Sequence, residues 1–181
     1  MKTAFVCDSA LQINKNFANN NPITVIPVEV RLNDEIFEDN VTITPDEFYK
    51  RIHSGQKPST SQPAVGKILS VYEELKQQGV ERIVAFSVSS KLSGTYSSFV
   101  QAKELIDGIE IKIIDTLQIA RMVGIAIEKI IKEFKDGSLT FENIEKRYAE
   151  LASQHNVLVT VETIYTQAVD LRKLNSFYQT Y

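Results

Sequence analysis

Three short polar strings hold the side chains best placed to do chemistry: Cys7-Asp8-Ser9, Ser59-Thr60-Ser61-Gln62-Pro63 and Ser89-Ser90-Lys91-Leu92-Ser93-Gly94-Thr95. Each adjoins an apolar run, so all three read as strand-to-helix junctions. Ser93-Gly94-Thr95 joins two hydroxyls to a glycine that lets a ligand approach the backbone. A helix starting there adds free amides and the positive end of its dipole. That combination suits a carboxylate or a phosphate. Hydroxyl residues also cap helices, and one capping residue explains a single Ser or Thr. Ser59-Thr60-Ser61 has more hydroxyls than one cap uses, so one can cap while another faces a ligand. Asp115-Thr116 closes another apolar run and reads first as a turn-forming pair.

Other chemistries find less support. A Ser-His-Asp or Cys-His device needs a base. The two histidines are His53, in a predicted surface helix, and His155, in a polar turn. Cys7 stands beside Asp8, whose charge raises a thiol pKa and suppresses the thiolate, so it reads as a buried strand-end residue. Asp8, Asp34, Glu35 and Asp115 lack the spacing of a Ca²⁺ loop, and no Cys or His cluster suggests zinc. There is no P-loop lysine and no dinucleotide glycine fingerprint. No catalytic residue, metal or cofactor is expected.

The elements that must position these strings follow from periodicity. Runs at residues 3–7, 23–30, 82–88, 110–114 and 157–161 are short, rich in Val and Ile, and bounded by polar residues, as strands are. Between them, residues 64–78 place Val65, Ile68, Leu69, Tyr72 and Leu75 three and four apart, with Gly79 where a helix would close. Residues 95–106, 122–134 and 141–152 repeat that spacing, with Thr140 as an N-cap. Thr44-Pro45-Asp46-Glu47 has a cap, a proline at the first helical position and acidic residues in the first turn, which predicts a short helix over 45–53. The strand-helix alternation predicts an α/β fold, a mostly parallel sheet sandwiched by helices, whose strand ends bind ligands.

The chain has 181 residues, with 20 Lys plus Arg against 23 Asp plus Glu and a net charge of −3, mixed along its length, so no nucleic-acid partner is expected. No apolar run reaches the length of a membrane span. The lone Cys7 excludes an internal disulfide, and the N-terminus lacks the apolar core of a signal peptide, so a cytoplasmic setting is expected. One domain over 1–161 is expected, followed by a divergent tail over 162–181.

Taken in order, Asp8-Ser9, Thr60-Ser61-Gln62-Pro63 and Ser89-Ser90-Lys91-Leu92-Ser93-Gly94-Thr95-Tyr96 resemble the DegV family. The likeness runs over residues 1–161 and includes Ile26-Pro27-Val28 and the Tyr72 helix. It implies the α/β N-terminal domain of a bacterial fatty-acid-binding protein, a carrier and not an enzyme. It also implies a partner, for several such proteins present an acyl carboxylate to a separate ATP-binding fatty acid kinase subunit. The implied ligand is a long-chain fatty acid, its carboxylate held by Thr60 or Ser61 and by Ser93, with Gly94 and Thr95 adjacent and Asp8 and Ser9 in the same cleft.

The match has departures. Family members usually continue after the fourth strand into a Ser and a pair of glycines, whereas Asp115-Thr116 here leads to Ala120-Arg121-Met122-Val123-Gly124. Arg121 reads as a surface ion-pair residue in preference to a ligand contact. The family's Gly-Gly-Arg segment and second domain have no counterpart before Tyr181, so no family arginine is carried onto Arg172. Each buried methylene contributes about 0.8 kcal/mol, so half a tunnel would bind weakly. A second subunit docking through the apolar tail around Leu174, Phe177 and Tyr178, giving a homo-oligomer, or a shorter ligand would resolve this. Two other readings stay open: a small-anion or phospho-ligand enzyme domain on the same helix N-termini, and a truncated regulatory or interaction module without ligand.

Overall fold

A computed structural model of the chain describes residues 1–154. The expected strand at 157–161, the tail at 162–181, His155 and Arg172 lie outside the described residues. Four strands, β1 (Thr3–Asp8), β2 (Ile23–Ile26), β6 (Arg82–Ser87) and β7 (Glu110–Asp115), form a parallel sheet in the order β2-β1-β6-β7. Three more, β3 (Glu29–Leu32), β4 (Glu35–Glu38) and β5 (Pro58–Ser61), form a small antiparallel sheet in the order β4-β3-β5. The helices are α1 (Lys15–Asn19), α2 (Pro45–His53), α3 (Val65–Gln77), α4 (Thr95–Glu104), α5 (Arg121–Lys135) and α6 (Ile144–Ala152).

Side chains alternate across a strand, and the parallel sheet is apolar on both faces, as a sheet covered by helices must be. Phe5, Cys7, Val84, Phe86 and Ile114 face Val123, Ile127, Ile130, Ile131, Ile144 and Tyr148 of α5 and α6. Ala4, Val6, Ile83, Ala85 and Ile111 face Ile68, Tyr72, Phe99 and Ala102 of α3 and α4. Each large side chain buried here contributes about 1.5–3 kcal/mol. The shared register, Phe5 beside Val84 and Phe86 beside Ile114, brings the carboxyl ends of β1, β6 and β7 to one edge.

Local signals behave as expected where they are strong. Thr44 accepts from the Glu47 amide at 3.3 Å with Pro45 at the first helical position. Gly79, at φ +78°, lets Val80 N–H return to the Leu75 carbonyl at 3.1 Å and closes α3. The run at 23–30, expected as one strand, is two. Pro27 has no N–H for a ladder and Val28 N–H donates to Ser9 Oγ at 3.1 Å, so the chain leaves β2 and starts β3 in the other sheet. Phe141–Asn143 is a 3₁₀ turn that leads into α6.

Ala120, just before α5, sits at φ 75°, ψ −169°, a region that is essentially reserved for glycine. It is held there by its N–H bond to the Ala10 carbonyl at 3.0 Å and by the Val123 amide, which donates to its own carbonyl at 3.1 Å. Relief of about 1–3 kcal/mol of strain exceeds the extra entropy glycine loses on folding. Ala120→Gly should therefore raise the melting temperature by about 2–4 °C in a thermal unfolding scan. An unchanged or lower value would show that the backbone there is unstrained.

Candidate functional site

The ends of three strands hold the loop after β6. Asp8, fully buried at the end of β1, accepts from the Val88 amide at 2.7 Å through Oδ2 and from the Ala10 amide at 3.0 Å through Oδ1. Asp115, ending β7, accepts from Ser90 N–H at 3.1 Å and Leu117 N–H at 3.0 Å. Ser89 N–H donates to the Gln118 carbonyl at 3.0 Å, and the Ser89 carbonyl accepts from Leu92 and Ser93 at 2.9 and 3.1 Å, a turn that sets Ser93 at the head of α4. Burial pushes the Asp8 carboxyl up to about 6, although the Val88 and Ala10 amides favour its charged form.

Ser93 Oγ lies 2.9 Å from Thr95 Oγ1 and accepts from Thr95 N–H at 3.3 Å. When the Thr95 hydroxyl donates, Ser93 accepts twice and its own hydrogen is left to donate to a guest. Gly94 is the N-cap of α4 and supplies no side-chain cap, so the Tyr96 and Ser97 amides belong to a first turn with no intrahelical acceptor. Uncharged donors at a helix N-terminus favour an anion.

Ser59, Thr60 and Ser61, expected in a loop that caps a helix, instead form β5. None of them caps α3, whose N-cap is Ala64. β5 pairs with β3, Thr60 opposite Val30 and Ser61 opposite Glu29. Thr60 therefore shares a face with Val30, and Ser61 points the other way. Directly after β5, the Gln62 side chain lies against Gly94: a Cβ at Gly94 would stand 3.1 Å from both Cδ and Nε2 of Gln62. This contact joins the small sheet to the head of α4. It places the end of β5, two residues after Thr60, next to Gly94, the residue between Ser93 and Thr95.

Asp8 and Ser9 are placed otherwise. Both Asp8 oxygens accept backbone amides in the interior, and Ser9, 7% exposed, accepts from Val28. They anchor the loops that shape the cleft. The resemblance implies Asp8 and Ser9 in the ligand cleft; residue type does not tell which way the side chains turn. Gln62 stands in one of the quoted strings without a role in the sequence reading.

Arg121 pairs with Glu128 at 2.5 and 3.1 Å and donates to the Gln12 carbonyl at 2.9 Å, a surface network, as read from the sequence. Burial would raise the Glu128 carboxyl, but the Arg121 guanidinium and the Asn14 amide outweigh it and hold it below the usual range. Cys7 is wholly buried, and burial first, then the Asp8 charge, pushes its thiol up. His53 is exposed at the end of α2. Among the described residues no helix is long and apolar enough to cross a membrane.

Residues 2–166 match the family model described as "Uncharacterised protein, DegV family". A DegV domain-containing protein of Staphylococcus aureus is 35% identical over 145 residues, which are 80% of this chain and 51% of the relative. One from Clostridium acetobutylicum is 30% identical over 163 residues, 90% of this chain and 58% of the relative. The chain thus spans about half the length of the curated relatives it matches. Among solved structures, DegV of Bacillus subtilis, described as a fatty acid binding protein, superposes with a TM-score of 0.79 at 28% identity, over 84% of this chain and 54% of that one. A DegV lipid binding protein of Thermotoga maritima does so with a TM-score of 0.76 at 30% identity, over 85% and 55%. A parallel sheet between helix layers, the Ser93-Gly94-Thr95 string at the head of the helix that follows β6 and a family match along most of the sequence agree, and the chain belongs to the DegV family.

Proposed function

We propose that this chain binds a fatty acid and is a carrier with no chemistry of its own. Its carboxylate would lie between the Ser93-Gly94-Thr95 head of α4 and the Thr60 face of β5. The observation that carries this reading is the Ser93 hydroxyl, which accepts from the Thr95 amide, lies 2.9 Å from the Thr95 hydroxyl and can donate its own hydrogen to a guest when that hydroxyl donates to it, at the head of a helix whose first amides have no intrahelical acceptor. Relatives described as fatty acid binding or lipid binding proteins support the choice of ligand. Strand alternation favours Thr60 over Ser61 as the hydroxyl on the Gln62 side. Leu117, Met122 and Ile125, 42%, 40% and 45% exposed at the same end of the sheet, offer an apolar surface on which an acyl chain can start.

The proposal extends to a partner. A carboxylate held by hydroxyls and amides keeps an oxygen lone pair free and needs no general base. It can attack the terminal phosphoryl group of a nucleotide held by a separate kinase subunit, forming an acyl phosphate and releasing the diphosphate. The reducing cytoplasm is the setting in which such a nucleotide is met.

The test is a titration with oleate. A hydrogen bond to a charged group is worth about 1.5–3 kcal/mol, so Ser93→Ala should weaken binding about 10- to 100-fold. Equal affinity in both proteins would remove Ser93 from the site. Acetate bound as tightly as oleate, or no binding of any C12 to C18 acid, would overturn the fatty-acid reading.

A further inference from the structure

The loop that carries Ser93 hangs from the sheet by three successive amides, each donating to a different neighbour. Val88 N–H donates to Asp8 Oδ2 at 2.7 Å, Ser89 N–H to the Gln118 carbonyl at 3.0 Å and Ser90 N–H to Asp115 Oδ1 at 3.1 Å. Beyond them the chain is tied to itself. The Ser89 carbonyl accepts from Leu92 N–H at 2.9 Å and Ser93 N–H at 3.1 Å, and Ser89 Oγ accepts from Lys91 N–H at 3.3 Å. Residues 89–93 are therefore one turn, and the three amides fix its tilt against the sheet. Of their acceptors, Asp8 is wholly buried and Gln118 uses its main chain, whereas Asp115 is a half-buried side chain. The same Asp115 Oδ1 accepts from Leu117 N–H at 3.0 Å, closing a turn that sets the carboxylate in place for Ser90. The turn is kept although it holds Leu117 at φ 53°, a left-handed position that few leucines occupy.

From these contacts we infer that Asp115 is a positioning residue of the anion site, its Oδ1 holding the Ser90 amide so that the 89–93 turn presents the Ser93 hydroxyl in one fixed direction. The inference rests on the fatty-acid reading and deepens it. Asp115 acts through Ser90 and touches no ligand. Its negative charge does nothing to attract an anion, so what it supplies is the placing of an oxygen. Placing matters because a hydrogen bond weakens steeply with misalignment, and a donor is held only as firmly as the groups behind it. Asparagine carries an oxygen in the same place without the charge. Glutamate keeps the charge and carries it one methylene further out.

Oleate titrations of three variants at pH 8 separate placing from charge. Asp115→Asn should bind within twofold of the parent chain or more tightly. Asp115→Glu and Asp115→Ala should each bind about 3- to 10-fold more weakly, the loss of about one hydrogen bond. In the ligand-free proteins the Ser90 amide should exchange with D₂O slowly in the parent and in Asp115→Asn, and faster in the other two. Should alanine unfold the chain, the contrast of glutamate with asparagine decides. If Asp115→Asn binds as weakly as Asp115→Glu, the oxygen's place is not what counts and the inference falls. If all the variants bind within twofold of the parent while Ser93→Ala loses affinity, the inference falls and the fatty-acid reading stands. If the parent chain binds no oleate, both fall.

Discussion

Gly124→Ala will melt about 2–12 °C below the parent chain, the largest loss expected from adding a single methyl group. A Cβ at this position would stand 2.5 Å from the Leu11 carbonyl oxygen and 2.8 Å from that of Gln12. Both are backbone atoms, and neither can swing aside as a side chain would. They belong to the 3₁₀ turn Ser9–Leu11 and the residue after it, so α5 is pressed directly onto the segment that follows β1. Seating the methyl group means lifting α5, whose Val123, Ala126, Ile127, Ile130 and Ile131 are buried against the sheet. Overpacking of this kind costs about 1–3 kcal/mol. Gly66→Ala is the control. Gly66 lies in α3 with nothing within 4 Å of an added Cβ, and alanine there should leave the melting temperature level or raise it slightly. Equal melting of Gly124→Ala and the parent would mean that α5 does not abut the turn.

Asp8 gives the second large effect, in the pH dependence of stability. Burial raises its folded pKa to about 6, against an unfolded value of about 3.9. Between those values the native chain binds more protons than the unfolded one. The contribution of Asp8 is then fully present below about pH 4 and lost as pH rises through about 6, a change on the order of 3 kcal/mol. Asp8→Asn cannot titrate and lacks this slope. Urea unfolding of both chains should show the variant gaining on the parent by about that amount between pH 4 and pH 6.5. The comparison cancels the opposite trend from carboxylates held low by ion pairs, such as Glu128 and Glu133. A constant difference between the two chains across the window would show that Asp8 titrates as it does unfolded.

What the sequence made legible follows from which forces write themselves into residue types. β1 and β6, the central pair of the parallel sheet, are buried on both faces, and burial demands runs such as Ala4-Phe5-Val6-Cys7 and Ile83-Val84-Ala85-Phe86 that no loop would carry. α2 and α3 are marked at their ends by Thr44-Pro45 and Gly79, where backbone geometry restricts the choice of residue. β5 is the opposite case. Pro-Ser-Thr-Ser has no apolar residue, and what makes it a strand is backbone pairing to β3, which leaves no trace in composition. In the site, the Ser93-Gly94-Thr95 string was readable because its residues are local to one another. Asp8 takes its place from a partner far along the chain, the Val88 amide, and no local pattern encodes that meeting.

The pairing of β1 with β6 also determines how this protein must be born. Asp8 ends β1 and Val88 directly follows β6, 80 residues further along the chain. A ribosome adding roughly 5–20 residues per second needs on the order of 4–16 s to reach β6 after making β1. Throughout that interval Ala4, Phe5, Val6 and Cys7, all buried in the finished sheet, have no β6 to pair with. The central strand is made first and joined on that side late, so until β6 emerges these apolar residues lack the partner that covers them. Slowing synthesis between residues 8 and 82 should lower the yield of folded protein more than slowing it after β7.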